Sequence, residues 1–184
     1  MTAHPEAGDS GLELIIAIDD DGWAETLPEY EALARRWVEA AIAAARADGG
    51  APAGPLSPKA AHEMGVVFSS DEIVQALNRE WRNKDQRTNV LAFADAEPPP
   101  AGAPWQMGDV VLAFGTTQRE AESGGLTIEA HAAHLVVHGI LHLFGYDHMD
   151  DEEAQRMERL ETRVLAGLGI ADPYDPAVRG PRPE

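Results

Sequence analysis

The chain has 184 residues, 44% of them hydrophobic and 25% charged, a composition that fits one soluble globular domain with its own core. With 32 acidic against 14 basic residues the formal charge is −18, which excludes a generic nucleic-acid coat built on spread lysines and arginines. Cysteine is absent, which excludes disulfides, thiolate ligands and cysteine nucleophiles, and neither a secretory start nor an apolar run of the roughly 18–20 residues needed for a membrane span occurs.

The first predicted element is a buried strand at LELIIAID (12–19), short, apolar and bounded by an Asp-rich turn. A helix of about five turns follows in LPEYEALARRWVEAAIAAARADGG, rich in good helix formers and closed by Gly49-Gly50. After the loop APAGPLSP, a second strand in AHEMGVVFSS ends on Ser-Ser-Asp, a suitable cap for the helix DEIVQALNREWRNK. NVLAFAD (89–95) and GDVVLAFG (108–115) read as two more strands. Between them AEPPPAGAPWQM is too rich in Pro, Ala and Gly for regular structure and reads as a surface connection or a flap over a site. A short helix covers TTQREAES, a longer one runs from Thr127 to Phe144, where Gly145 stops it, and the last occupies DDEEAQRMERLETRVLAGLG with acids in its first turn. Residues 1–170 thus form one domain without repeats, and 171–184 read as a loose tail.

Three of the seven histidines fall in HGILHLFGYDH (138–148). At 100° per residue His131, His134, His138 and His142 share an arc of about 80° on a helix otherwise built from Val137, Ile140, Leu141, Leu143 and Phe144. Imidazoles on a buried helix need partners, because desolvated polar groups without them are costly. His138 and His142, one turn apart, can aim two ring nitrogens at one ion, and the turn at Gly145 lets His148 return with a third. Three neutral histidines leave one corner of a tetrahedral Zn²⁺ open, the arrangement of catalytic rather than structural zinc. Ni²⁺, cobalt or copper could occupy the same donors. His131 and His134 are open to several readings: partners of a ligand, proton carriers or an ordinary polar face.

Four of the fourteen basic residues, Arg79, Arg82, Lys84 and Arg87, lie within the nine positions of REWRNKDQR. In an acidic chain this is either a solvated helix end or a local phosphate-binding site.

The spacing His-x-x-x-His-x-x-Gly-x-x-His is that of metzincin proteases, whose second position carries the glutamate base. Here it is Gly139, which removes the peptidase base and opens room beside the metal. The whole string HGILHLFGYDH resembles instead the signature of the YbeY family of rRNA-maturation endoribonucleases. LNREWRNKDQRTNVLAF (77–93) and GDVVLA (108–113) resemble its other two segments in the same order, with Trp81, Arg87 and Ala92 where the family commonly has Tyr, Pro and Ser.

The resemblance implies an α+β, zincin-like fold: a mixed four-stranded sheet, about five helices and a metal-binding helix carrying the histidines. It implies His138, His142 and His148 as metal ligands, one Zn²⁺ per chain, and Arg82 as the functional arginine. The activity implied is a single-strand-specific, metal-dependent endoribonuclease that matures the 3′ end of 16S ribosomal RNA and serves ribosome quality control. Its partners would be ribosomal RNA, the ribosome and ribosome-associated proteins, in the cytoplasm, with no membrane. Within that reading Arg79, Lys84 and Arg87 guide the RNA backbone, and His134 and Asp147 are candidates for proton transfer. Asp109 orients a ligand or fixes a turn. A non-catalytic ribosome-assembly factor with a structural metal, or a metal-dependent hydrolase of another class, are the competing readings.

Overall fold

Alternate residues of a strand face opposite sides of its sheet, and here both sides are covered. The computed structural model describes residues 12–49, 62–95, 105–148 and 151–175. In chain order the elements are β1 (Leu12–Ile18), α1 (Asp21–Thr26), α2 (Tyr30–Asp48), β2 (His62–Ser69), α3 (Asp71–Arg82), β3 (Val90–Ala94), β4 (Trp105–Ala113), α4 (Phe114–Gly124), α5 (Ile128–Leu143) and α6 (Asp151–Gly167). The four strands form one mixed sheet in the order β1-β2-β4-β3. β1, β2 and β4 run parallel, and β3 pairs antiparallel to β4 as an edge strand.

Met64, Val66, Phe68, Val110 and Leu112 turn to one face, where they pack with α2, α5 and α6 in the main core. Val67, Leu91, Val111 and Ala113 turn to the other, where Val74 and Leu77 of α3 cover them. The metal-motif helix and the helix bearing the basic run therefore lie on opposite faces of the sheet.

Each of the predicted strands and helices is present, and one helix was not foreseen. The six residues of α1 carry less than two turns of periodicity, and the sequence there reads as an Asp-rich turn. What forms it is tertiary: Asp20 caps Gly22 N at 2.8 Å, Trp23 is fully buried, and its Nε1 donates to Ser69 O at 3.0 Å. β4 starts and ends earlier than predicted, with Phe114 and Gly115 drawn into α4, where the Asp71 carboxylate accepts from Thr116 N at 2.7 Å. Residues 96–104 of the predicted flap lie outside the described residues.

The start of the predicted loose tail is held. Thr162 Oγ1 donates to the Asp172 carboxylate at 3.1 Å, Tyr174 N donates to the same oxygen at 2.9 Å, and Pro173 is buried. Residues 176–184 lie outside the described residues. Among the described residues no helix is long and apolar enough to cross a membrane.

Candidate metal centre

α5 is capped by Thr127, whose hydroxyl accepts from Ala130 N, and is buried on nearly every side. Its mid-helix Gly139 has a packing cause. A Cβ there would lie 2.5 Å from Val110 Cγ1, so the glycine is what lets α5 sit this close to β4. The absent side chain therefore leaves no room beside the histidines, contrary to the sequence expectation; Val110 fills it.

The helix ends in a Schellman turn. Tyr146 N donates to Leu141 O at 3.1 Å and Gly145 N to His142 O at 2.9 Å, with Gly145 at φ 82°. A side chain rarely adopts that conformation, so glycine sets the reversal. Tyr146 then anchors the returning chain: it is buried, its hydroxyl donates to Asp48 at 3.1 Å, and burial together with Asp48 pushes its phenol up to about 12. Arg156 binds the same carboxylate at 2.8 Å.

That turn brings His148 back over the helix. His138, His142 and His148 each present a ring nitrogen, and the three atoms lie within 4.8 Å of one another. The Nε2 atoms of His138 and His142 are 3.1 Å apart, close to the edge of about 3.3 Å expected for two nitrogens on a tetrahedral zinc. His142 Nδ1 faces the carbonyl of Tyr146 at 2.9 Å, and His138 Nδ1 faces Glu161 Oε1 at 2.7 Å. Each Nδ1 meets an acceptor and so carries the ring proton, which leaves both Nε2 lone pairs aimed at one point. Two lone pairs at that separation repel unless a cation lies between them. Burial, then the neighbouring His138 and His148, hold the His142 imidazole down to about 4, so it is neutral near pH 7. The donor set fits a divalent ion of the zinc class.

Glu161, on α6, was not singled out from sequence. It is fully buried, accepts from His138 through Oε1, and through Oε2 meets His134 at 3.0 Å and the hydroxyl of Tyr174. Burial alone would raise this carboxyl, but the hydrogen bonds from His134 and His138 outweigh it and bring it down to about 2. A carboxylate behind a ligand imidazole fixes its tautomer and orientation and raises its basicity. A signal was available: Met157, Leu160, Glu161, Val164 and Leu165 recur at helical spacing, which puts this glutamate on the buried face of α6.

The other predicted residues divide. His134 is drawn to Glu161, and His131 to Glu120 of α4 at 2.8 Å. Asp147 is half exposed and accepts the main-chain N–H of His148 at 2.7 Å. Asp109 lies over Gly65 on the face away from α5, which rules out its orienting a histidine of the centre. Arg82, at the end of α3, donates to Ala92 O at 3.2 Å. Asn89 O and Asp95 N bond to β4, so the alternation of the antiparallel ladder turns the Ala92 carbonyl to the free edge of β3. Arg87 pairs with Asp71 at 3.5 Å and Arg79 with Asp85 at 3.9 Å. Among the described residues no carboxylate oxygen lies within 4.0 Å of the Arg82 or Lys84 charge. The histidines gather at one point on α5; the basic residues lie on α3 and the turn after it, on the other face of the sheet, with Arg82 reaching the edge strand.

Most of the chain matches known proteins. Residues 18–169 match the family model described as Endoribonuclease YbeY. A protein of that name from Paramagnetospirillum magneticum is 50% identical over 167 residues, covering 89% of this chain and 96% of its own. Another, from Allorhizobium ampelinum, is 48% identical over 164 residues, covering 89% and 95%. The solution structure of the Thermotoga maritima protein TM1509 superposes with a TM-score of 0.50 at 21% identity, over 89% of this chain and 99% of that one, and so speaks for the fold alone.

Proposed function

The chain belongs to the YbeY family of endoribonucleases, and from that premise we propose that it is a zinc-dependent endoribonuclease of ribosomal RNA maturation. The observation that carries the metal half of this reading is the pair of Nε2 lone pairs 3.1 Å apart with His148 closing over them. A zinc ion held there would supply positive charge that lowers the pKa of water to about 7 and offsets charge on a phosphodiester.

The chain's own residues do the rest. His138, His142 and His148 hold the ion. Glu161 and the Tyr146 carbonyl keep the first two rings in the tautomer that can bind it. Arg82 binds two oxygens of a phosphate bidentately at the free edge of β3. Lys84 and Arg79 steer the RNA backbone toward that edge through an otherwise repelling acidic surface; Arg87, held by Asp71, contributes least. Of the two proton-transfer candidates Asp147 is better placed, being half exposed beside His148, whereas His134 turns its ring into buried Glu161. Gly139, packed on Val110, leaves the centre without a peptidase's glutamate. The substrate is single-stranded RNA, here the 3′ end of 16S ribosomal RNA, met on the ribosome in the cytoplasm.

The test is elemental analysis of the purified protein paired with cleavage of an RNA carrying unpaired segments. About one zinc per chain, and cleavage abolished by chelator and restored by zinc, are expected. Arg82→Glu should lose cleavage while keeping the metal. Stoichiometric metal without any cleavage would support a non-catalytic assembly factor instead, and cleavage of casein but not RNA would support a peptidase.

A further inference from the structure

The most exposed large apolar side chain among the described residues is Trp81, 67% accessible in the last turn of α3. A lone exposed apolar side chain is ordinary, but tryptophan is enriched at contact surfaces because a large apolar face carries a polar handle. Its ring is propped edge-to-face on Phe93 of β3, centroids 6.3 Å apart at 64°, so it is supported from beneath and open above.

The turn that follows is rigid. Asn83 adopts a left-handed conformation at φ 56°, and Lys84 N donates to Asn78 O at 3.2 Å. The buried Asn78 amide donates to Gln86 O at 2.9 Å, and Gln75 holds Asp85 at 2.9 Å. The backbone that carries Trp81, Arg82 and Lys84 is therefore held in a defined turn. Arg82 reaches from this face to the free edge of β3, the strand that also packs on α5.

We propose that Trp81 is a stacking platform for one unpaired base of the RNA, with Arg82 and Lys84 taking the adjoining phosphates. The inference rests on the RNA reading above. An aromatic face one and three positions from two cations that have no carboxylate partner among the described residues matches the chemistry of a nucleotide, a flat π-surface joined to an anion. An apolar protein partner is a worse match, because Arg79, Glu80, Arg82, Lys84 and Asp85 surround the indole with charge. Every base has a π-face, so this contact favours unpaired over paired RNA without selecting sequence.

The experiment measures binding of a short unpaired oligoribonucleotide, its abasic counterpart and a duplex to zinc-loaded protein, using non-cleavable linkages. Trp81→Ala should weaken the unpaired strand by about 5- to 150-fold, Trp81→Phe should recover most of that loss, and the abasic strand should bind both proteins alike. The slope of log Kd against log salt should stay as in the parent for Trp81→Ala and fall for Lys84→Ala, since only the lysine releases counterions. Equal loss for abasic and normal strands, or no loss, overturns the platform while leaving the RNA reading intact. Absence of any binding by the parent protein overturns both.

Discussion

The two halves of α5 carry the same residue on the same stripe and do different work. In the C-terminal half His138 and His142 turn their Nε2 atoms toward each other, 3.1 Å apart, with His148 above. In the N-terminal half His131 and His134 turn to carboxylates, Glu120 at 2.8 Å and the buried Glu161 at 3.0 Å. Helical spacing puts all four rings on one side of the helix. What separates ligand from support is the element each ring meets: the Gly145 turn brings back a third imidazole, whereas α4 and α6 bring acids. Imidazoles collected with other imidazoles make a site for a cation; an imidazole nitrogen held by a carboxylate already has its partner, and among the described imidazoles His131 Nδ1 alone stays buried without one. Glu161 joins the halves, because its two oxygens hold one histidine of each.

The largest effect should come from the C-terminal half. His142→Ala removes one of three donors and should abolish stoichiometric metal and cleavage together. The loss should exceed the roughly 10- to 100-fold that removal of an outer hydrogen-bond partner costs. Elemental analysis checks it, and a variant keeping one tightly held zinc would erase the distinction drawn here. Next comes the joint. Glu161→Gln should weaken zinc by about 10- to 100-fold, read by competition with a chromophoric chelator. Glu161→Ala should add a stability loss of about 1–3 kcal/mol in the metal-free protein, since buried donors on His134 and His138 lose their acceptor. Zinc affinity untouched in both variants would reduce Glu161 to a packing residue.

The contrast between the halves also marks what could be read without coordinates. Three of the ligands' determinants are local: a one-turn spacing, a glycine, and a histidine three residues past it, all within eleven residues. Apolar runs and caps likewise announce the strands and the longer helices, because hydrophobic periodicity is written segment by segment. Strand order was not legible, since the placement of β3 at the edge beside β4 depends on pairings across the chain. Nor was α1, whose Trp23 finds its partner at Ser69, 46 residues away. Glu161 lies 23 residues beyond His138, and only the packing of α6 on α5 joins them. Tyr174 is farther still, in a segment whose composition suggested looseness. The sequence reading of Gly139 missed its cause for the same reason: Val110 belongs to a strand 29 positions earlier.

His134 should give a smaller effect than Glu161. His134→Ala removes one of two donors from Glu161 Oε2, which keeps the Tyr174 hydroxyl while Oε1 keeps His138, so zinc affinity should fall by less than about 10-fold. The limbs of the pH–rate profile should stay where they are in the parent protein. A limb that moves at constant metal content would make His134 the proton-transfer group and restore the role set against Asp147.

The smallest effect belongs to His131. Its partner Glu120 keeps a second hydrogen bond, from Asn89 Nδ2 at 2.8 Å, so the carboxylate is not stranded when the imidazole goes. Burial pushes that carboxyl up, and the bonds from His131 and Asn89 more than reverse it, leaving it below its ordinary value. The pair is partly exposed on the glutamate side, where solvent screens the interaction to about 1 kcal/mol or less. His131→Ala should therefore lower the melting temperature by a few degrees at most, with zinc content and cleavage unchanged. A loss of zinc in this variant would mean that the N-terminal half of the helix transmits to the metal through more than Glu161. The separation between a ligand half and a supporting half would then fail at the residue where it predicts least.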